Sequence, residues 1–304
     1  MAMPMVEVAN LTKRYRTVTA VDGISFTVEP GEIFGMIGPN GAGKTTTIEC
    51  CLGLRQPTSG ETRLLGMDPI AERKELFRHV GVQLQETAYQ EHVRVREICT
   101  ALSCMYEKPR DWRELLDRFG LGDRSNDRVT KLSGGQKQRL TVALALIADP
   151  EIVFLDELTT GLDPRARRSM WEDIKELRDG GMTVFMTTHY MEEAEYLCDR
   201  VAVIVRGRIA ALGGVDALVA ESGLDHEISF EAPDINRSSL EQLPGVRRVS
   251  QDDSRITLAC ESQHVLTELV RLFDRQEVDY TNVRTRSPGL DELFLHLTGE
   301  EFDQ

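Results

Sequence analysis

The chain has 304 residues, 41% of them apolar and 28% charged, with a formal charge of −14. That length fits about two domains, and the composition is that of a soluble globular protein. The acidic balance argues against broad nucleic-acid binding, which depends on Lys and Arg neutralising phosphates, and against docking onto an anionic bilayer. The longest strongly apolar run, near Leu140 to Ala148, is far short of the roughly 18 residues that a membrane span needs. The start, Met1-Ala2-Met3-Pro4-Met5, lacks a basic region followed by an apolar one, so no secretory signal is expected. The cysteines (Cys50, Cys51, Cys99, Cys104, Cys198, Cys260) form no C-x-x-C pair. They read as reduced packing residues of a cytosolic protein, not as zinc ligands.

In chain order, Val6 to Leu11 alternates like a half-buried strand, and Tyr15 follows in a polar segment. Ile24, Phe26 and Val28 mark a second, antiparallel strand that ends at Pro30-Gly31. Glu32 to Ile37 is a short buried strand, and Thr46 to Leu52, free of Pro and Gly, is a helix. Between them runs Gly38-Pro39-Asn40-Gly41-Ala42-Gly43-Lys44-Thr45, which fits G-x-x-x-x-G-K-[ST] at every defined position. Strand, glycine loop and helix together form a phosphate-binding nest at a helix N-terminus. Lys44 reaches the β- and γ-phosphates of a nucleoside triphosphate, and the Thr45 hydroxyl holds Mg²⁺. Gln56 to Gly60 is a turn, Glu61 to Leu65 a strand, and Val80-Gly81-Val82 a short strand leading to Gln85.

From about 86 to 148 the pattern is helical. Trp112, Leu115, Leu116 and Phe119 form one apolar stripe, and a helix from near Gly135 runs to Asp149-Pro150. Ile152 to Leu155 is apolar without alternation, as in a strand buried on both faces of a parallel sheet. Asp156-Glu157 follows at the strand's carboxyl end, where ligands of open α/β sheets bind. There Asp156 suits Mg²⁺ and Glu157 suits a general base toward water; a bare acidic helix cap is the alternative. Thr183 to Met186 is a similar strand, and Val201 to Val205 with Arg208 to Leu212 forms a hairpin around Gly207. After a helix over Asp216 to Glu221 and a weak linker at Ser222-Gly223, the order is β-α-β-β-α-β followed by a last amphipathic helix at Leu290 to Leu297. This order predicts a small ferredoxin-like α+β domain. The expected domains are thus 1–222 and 223–304.

Leu132-Ser133-Gly134-Gly135-Gln136 sits just before a helix and offers a hydroxyl and N–H groups to an anion. With the phosphate loop and Asp156-Glu157, this run resembles the ATP-binding subunits of ABC transporters over roughly residues 5 to 220. The resemblance implies a RecA-like P-loop NTPase core with an antiparallel β subdomain and a helical signature subdomain. It also implies ATP and Mg²⁺ as ligands, with Thr46 belonging to the loop. Tyr15 then matches the aromatic that stacks on adenine, and Gln85 the glutamine that touches Mg²⁺ and the attacking water. Gly161-Leu162-Asp163 matches the loop linking two nucleotide sites, and His189 the histidine at the γ-phosphate. Taken singly, Tyr15 could be core packing, Gln85 a surface amide and His189 a helix-start residue.

Such subunits clamp two ATP molecules head to tail, so that Ser133, Gly134, Gly135 and Gln136 of one chain complete the site of the other. The expected partners are a second ATP-binding subunit, most simply a second copy, and separately encoded permeases. The expected place is the cytoplasmic face of the membrane, without insertion. The segment from about 86 to 99 corresponds to the region that receives the permease's coupling helix. Leu158 departs from the pattern, which has Pro there. The runs at Thr188 to Glu195 and Ser287 to Leu295 resemble the drug- and antibiotic-exporting branch, of the daunorubicin-resistance type. The C-terminal region then reads as dimer-stabilising or regulatory.

Overall fold

The computed structural model describes residues 3–84, 91–232 and 235–298. The chain divides into two compact units, the first running to Val215 and the second beginning at Asp216.

The first unit opens with β1 (Val6–Tyr15), β2 (Val18–Val28) and β3 (Ile33–Ile37), then α1 (Lys44–Cys51), β4 (Ser59–Leu64), α2 (Arg73–Leu76) and β5 (Val80–Gln83). Next come α3 (Val95–Ser103), α4 (Trp112–Arg118), α5 (Gly134–Ala145), β6 (Ile152–Asp156), α6 (Pro164–Asp179) and β7 (Thr183–Thr188). The unit closes with α7 (Met191–Leu197), β8 (Arg200–Val205) and β9 (Arg208–Gly214), and α8 (Val215–Glu221) follows. Among the described residues of this unit two sheets form: β2-β1-β4, antiparallel, and the six-stranded β5-β6-β7-β3-β8-β9. In the larger sheet only the β8–β9 hairpin is antiparallel. The carboxyl ends of β5, β6, β7, β3 and β8 therefore share one edge. That edge receives the phosphate loop after β3, the acidic pair at the end of β6 and the histidine after β7.

β3, β6 and β7 are buried at every position, as the apolar runs at their centres predict for central parallel strands. Phe34 stacks on Phe26 of the smaller sheet with centroids 5.3 Å apart, and Phe185 lies 5.4 Å from Phe34 and 5.1 Å from Phe154. This row of rings joins the two sheets into one core, each ring contributing about 1.5–3 kcal/mol by burial. The helix α6 is amphipathic for a plain reason. Met170, Trp171, Ile174 and Leu177 recur on one face and are buried, while Asp163 caps its start and Pro164 occupies its first turn.

Three boundaries differ from expectation. Tyr15 lies inside β1, because the strand continues through polar residues paired with β2. The turn at 56–60 yields Ser59 and Gly60 to β4. The helix α5 stops at Ala145 rather than at Asp149, which takes a left-handed φ of 51°; the following Pro150 disfavours helical geometry there. In α4, Leu115, Leu116 and the adjoining Phe119 are buried, whereas Trp112 is half-buried beneath the Arg113 guanidinium at 4.3 Å.

The second unit holds β10 (His226–Glu231), α9 (Arg237–Glu241), β11 (Val246–Asp252), β12 (Arg255–Cys260), α10 (Val265–Gln276), β13 (Thr281–Arg286) and α11 (Leu290–Thr298). Its strands form an antiparallel sheet of order β11-β12-β10-β13. Its own core gathers Ile228, Phe230, Leu240, Leu258, Leu269 and Phe273, among others. All six cysteines are free, and all but Cys104 are buried.

Candidate nucleotide site

The loop between β3 and α1 depends on glycine at two close approaches. A Cβ on Gly38 would stand 2.3 Å from the Ile204 carbonyl oxygen, and one on Gly43 would stand 2.3 Å from that of Ala20. Gly43 also has φ 110°, which side chains other than hydrogen rarely allow. The Ala42 N–H donates to the Pro39 carbonyl at 3.1 Å, and the Gly207 N–H donates to the Ala42 carbonyl at 3.0 Å. The β8–β9 turn thus braces the loop from behind. No side chain caps α1, so its first-turn N–H groups face the cleft, which is lined by the loop, Ala20 and Glu157.

Lys44 is 4% exposed. Its Nζ donates to the carbonyls of Gly38 at 2.7 Å and Pro39 at 3.2 Å, and lies 3.3 Å from Glu157 Oε1. Burial lowers its pKa, while the Glu157 carboxylate opposes the shift. A buried cation held by carbonyls beside a helix N-terminus is a strong binding site for phosphate oxygens.

Asp156 ends β6 and is wholly buried. Its Oδ2 accepts from the Thr45 hydroxyl at 3.1 Å, and its Oδ1 accepts from the Thr187 hydroxyl. Burial pushes the Asp156 carboxyl up, and the hydrogen bonds from Thr187 and Thr45 pull it back down. Among the described residues no three His, Cys, Asp or Glu side chains gather as a metal cage. One carboxylate beside one hydroxyl is nevertheless the donor set that Mg²⁺ takes, since it keeps waters and fills its shell with substrate phosphates.

Glu157 turns the chain through a left-handed φ of 49°. Its N–H is held by both the carbonyl and the hydroxyl of Thr187, each at 3.1 Å. Leu158, where Pro was expected, is 1% exposed. Packing and hydrogen bonds, rather than a ring, therefore fix this turn. Glu157 Oε2 lies 3.7 Å from His189 Nδ1, just beyond β7.

The remaining expected residues lie elsewhere. Tyr15 is more than a third exposed, with Lys13 Nζ at 5.1 Å and Arg55 Cζ at 5.7 Å from its ring centre. Ser133 caps α5 by accepting from the Gln136 N–H at 3.3 Å, and the Gln136 side chain returns a bond to the Ser133 N–H at 3.0 Å. Gly134 is open around its Cα, whereas Gly135 faces Leu162 and Ala166. The Asp163 carboxylate is engaged by the N–H groups of Arg165 and Ala166 at 3.0 Å. Gln85 lies outside the described residues. The chain itself thus brings Lys44, Thr45, Asp156, Glu157 and His189 together.

Sequence reasoning passed over Thr187, which binds Asp156 and Glu157 at once. The one available signal was the threonine pair, Thr187-Thr188, closing a strand with an apolar centre. It also passed over Glu193, buried under the site, because a carboxylate on a charged helix reads as solvent-facing.

A phosphate loop and a carboxyl-edge Asp-Glu pair on a parallel sheet define a P-loop nucleoside triphosphatase. The comparisons narrow this. The family model described as ABC transporter matches residues 21–160. The Nod factor export ATP-binding protein I of Paraburkholderia xenovorans is 41% identical over 97% of this chain and 97% of its own. The daunorubicin resistance ATP-binding protein DrrA3 of Streptomyces coeruleorubidus is 36% identical over 99% of this chain and 98% of its own. The linearmycin resistance ATP-binding protein LnrL of Bacillus subtilis is 34% identical over 97% and 98%. Among solved structures, the ATP-binding subunit of an ABC transporter superposes with a TM-score of 0.66 at 27% identity, covering 72% of this chain and 93% of that one. A dimeric ATP-binding cassette in a post-hydrolysis state, bound to ADP and phosphate, superposes at 0.62 with 25% identity, covering 69% and 98%. The chain belongs to the ATP-binding proteins of ABC transporters, and it is an ATP-hydrolysing subunit.

Proposed function

We propose that this subunit powers export of a drug-, antibiotic- or lipid-like compound through separately encoded permeases. The observation that carries this is the full-length match to three ATP-binding proteins named for export or resistance, which spans the second unit as well as the first. The working place is the cytoplasmic face of the membrane; among the described residues no helix is long and apolar enough to cross a bilayer.

The site supports a division of labour. The loop residues Gly38 to Thr46 and Lys44 cradle the phosphates, and Thr45 and Asp156, with Gln85, hold Mg²⁺. The metal, when bound, neutralises charge building on the phosphate oxygens. Glu157 takes the proton of the attacking water, and His189, 3.7 Å from it, contacts the γ-phosphate. Tyr15 stacks on adenine from the smaller sheet, whose Ala20 abuts Gly43.

The half of the site that binds the far side of the triphosphate comes from a second copy. Its Ser133-Gly134-Gly135-Gln136 run presents a helix N-terminus, and its Asp163 loop approaches from the same direction. The expected domains, 1–222 and 223–304, correspond to the two compact units, whose division falls slightly earlier, between Val215 and Asp216; within the helical subdomain near 86–148, the segment from about 86 to 99 receives the permease. The second is a ferredoxin-like domain that stabilises the dimer or regulates it. Its strand order, β11-β12-β10-β13 from a β-α-β-β-α-β sequence, supports the ferredoxin-like reading.

Co-purification of the tagged chain from its native membranes, with partners identified by mass spectrometry, tests this function. Recovery of a polytopic permease is expected. ATP hydrolysis and ATP-driven dimerisation confined to the soluble fraction, with no membrane protein recovered, would point instead to a soluble switch.

A further inference from the structure

Four side chains beneath the hydrolytic pair form a closed polar cluster that no nucleotide contact uses. Glu193 of α7, Thr159 after β6, Trp171 of α6 and Thr188 at the end of β7 are each at most 3% exposed. Glu193 Oε1 accepts from the Thr159 hydroxyl at 2.8 Å and from the Trp171 indole N–H at 2.9 Å. The Thr188 hydroxyl is a further donor to this carboxylate, and it also accepts from the Tyr190 N–H at 2.9 Å. Thr159 stands two residues after Glu157, and Thr188 stands immediately before His189.

We infer that Glu193 is a positioning residue that ties the segment carrying Glu157 to the segment carrying His189 and fixes the spacing of that pair. The inference rests on the reading of Glu157 as the proton acceptor for water. A carboxylate buried without a full cation partner is an expensive way to fill space. Burial pushes the Glu193 carboxyl up, and the three donors, followed by the nearby Arg167 charge, oppose that shift. An apolar residue would pack there with less loss, but it could not hold three donors from three elements. A second strut runs parallel: the Arg167 guanidinium of α6 stands 4.0 Å from the centre of the Tyr190 ring, whose neighbour at 4.1 Å is the His189 ring. Helix α6, the loop after β6 and the start of α7 are thereby tied to one another by buried contacts. Hydrolytic geometry of this kind is sensitive to displacements of about 1 Å, worth up to roughly a hundredfold in rate.

The test is single-turnover hydrolysis of bound Mg·ATP by the full chain, beside equilibrium titration of ATP and the thermal midpoint. Glu193→Ala should slow hydrolysis about tenfold or more, with the ATP dissociation constant unchanged. Glu193→Gln should restore most of the rate, because an amide oxygen accepts the same two bonds at Oε1. Thr159→Val removes one donor at nearly constant volume, so it reports even if Glu193→Ala fails to fold; it should lower the thermal midpoint modestly, stay folded at the assay temperature and still slow hydrolysis. Glu157→Gln is run alongside. If it hydrolyses normally, the reading of Glu157 and the inference fall together. If it is inactive while Glu193→Ala and Thr159→Val match the parent, the inference alone falls. Loss of ATP affinity in step with rate, or a Glu193→Gln as slow as the alanine variant, also overturns it.

Discussion

Asp156 is held where its charge is unfavourable. It is an acid whose pKa is raised by burial, so the folded chain binds its proton more tightly than the unfolded chain does. Folding stability from this group is therefore lost as pH rises from the ordinary carboxylate value toward the raised one, and the deficit is complete above it. Asp156→Asn removes the charge, keeps an oxygen for the Thr187 hydroxyl and turns an amide donor toward the Thr45 hydroxyl, which can accept. The nucleotide-free variant should melt above the parent at pH 7, with the gap narrowing toward pH 4, and it should lose the extra stabilisation from Mg²⁺ added with ATP. Melting curves at two pH values, with and without the metal, read both effects. A variant that melts lower at pH 7 contradicts the strain. The same residue shows what was legible in advance. That Asp156 sits at a strand end was readable from four apolar residues before it. That Thr187 clamps both Asp156 and Glu157 was not, because the contact joins strands thirty-one residues apart.

At the scale of single elements, α5 carries two duties at one residue. Ser133 caps the helix through reciprocal bonds with Gln136, a contact worth about 1 kcal/mol. In the proposed dimer it also faces the partner's ATP. Ser133→Ala should therefore lower stability by about 1 kcal/mol while weakening ATP-driven dimerisation. Ser133→Arg should block closure outright and leave ATP binding at the phosphate loop intact. Light scattering with ATP, paired with nucleotide titration, separates the two. Normal dimerisation by the arginine variant would remove the helix from the shared site. The capping pattern of Ser133 with Gln136 is local chemistry, which is why the start of α5 could be read directly near Gly135; the Asp163-Pro164 start of α6 is equally local but was passed over. The ends were harder. The end of α5 is set by the left-handed Asp149 before Pro150 and by packing of Leu146 and Ile147, so periodicity alone ran too long.

For the whole molecule, two units with separate apolar cores should unfold in two calorimetric transitions. The unit carrying the loop should gain about 2.7 kcal/mol at an ATP concentration a hundred times the dissociation constant, and its transition should move accordingly. A chain cut after Glu221 should keep its affinity for ATP. One cooperative transition, or a truncated chain that no longer binds, would mean that the second unit is part of the nucleotide-binding fold.

The sequence by itself determined the chemistry of the loop, the burial of β3, β6 and β7, and the restart of the pattern after Ser222. Each of these is written in contiguous residues, as spacing or as a short apolar run. The tertiary structure decided which of the motifs meet. Lys44, Asp156 and His189 are far apart in the chain, and they converge because parallel strands β3, β6 and β7 end on one edge. It also decided that Glu193, on a surface-like stretch of charges, is buried. Strand order and burial arise from long-range pairing, and no local pattern encodes them.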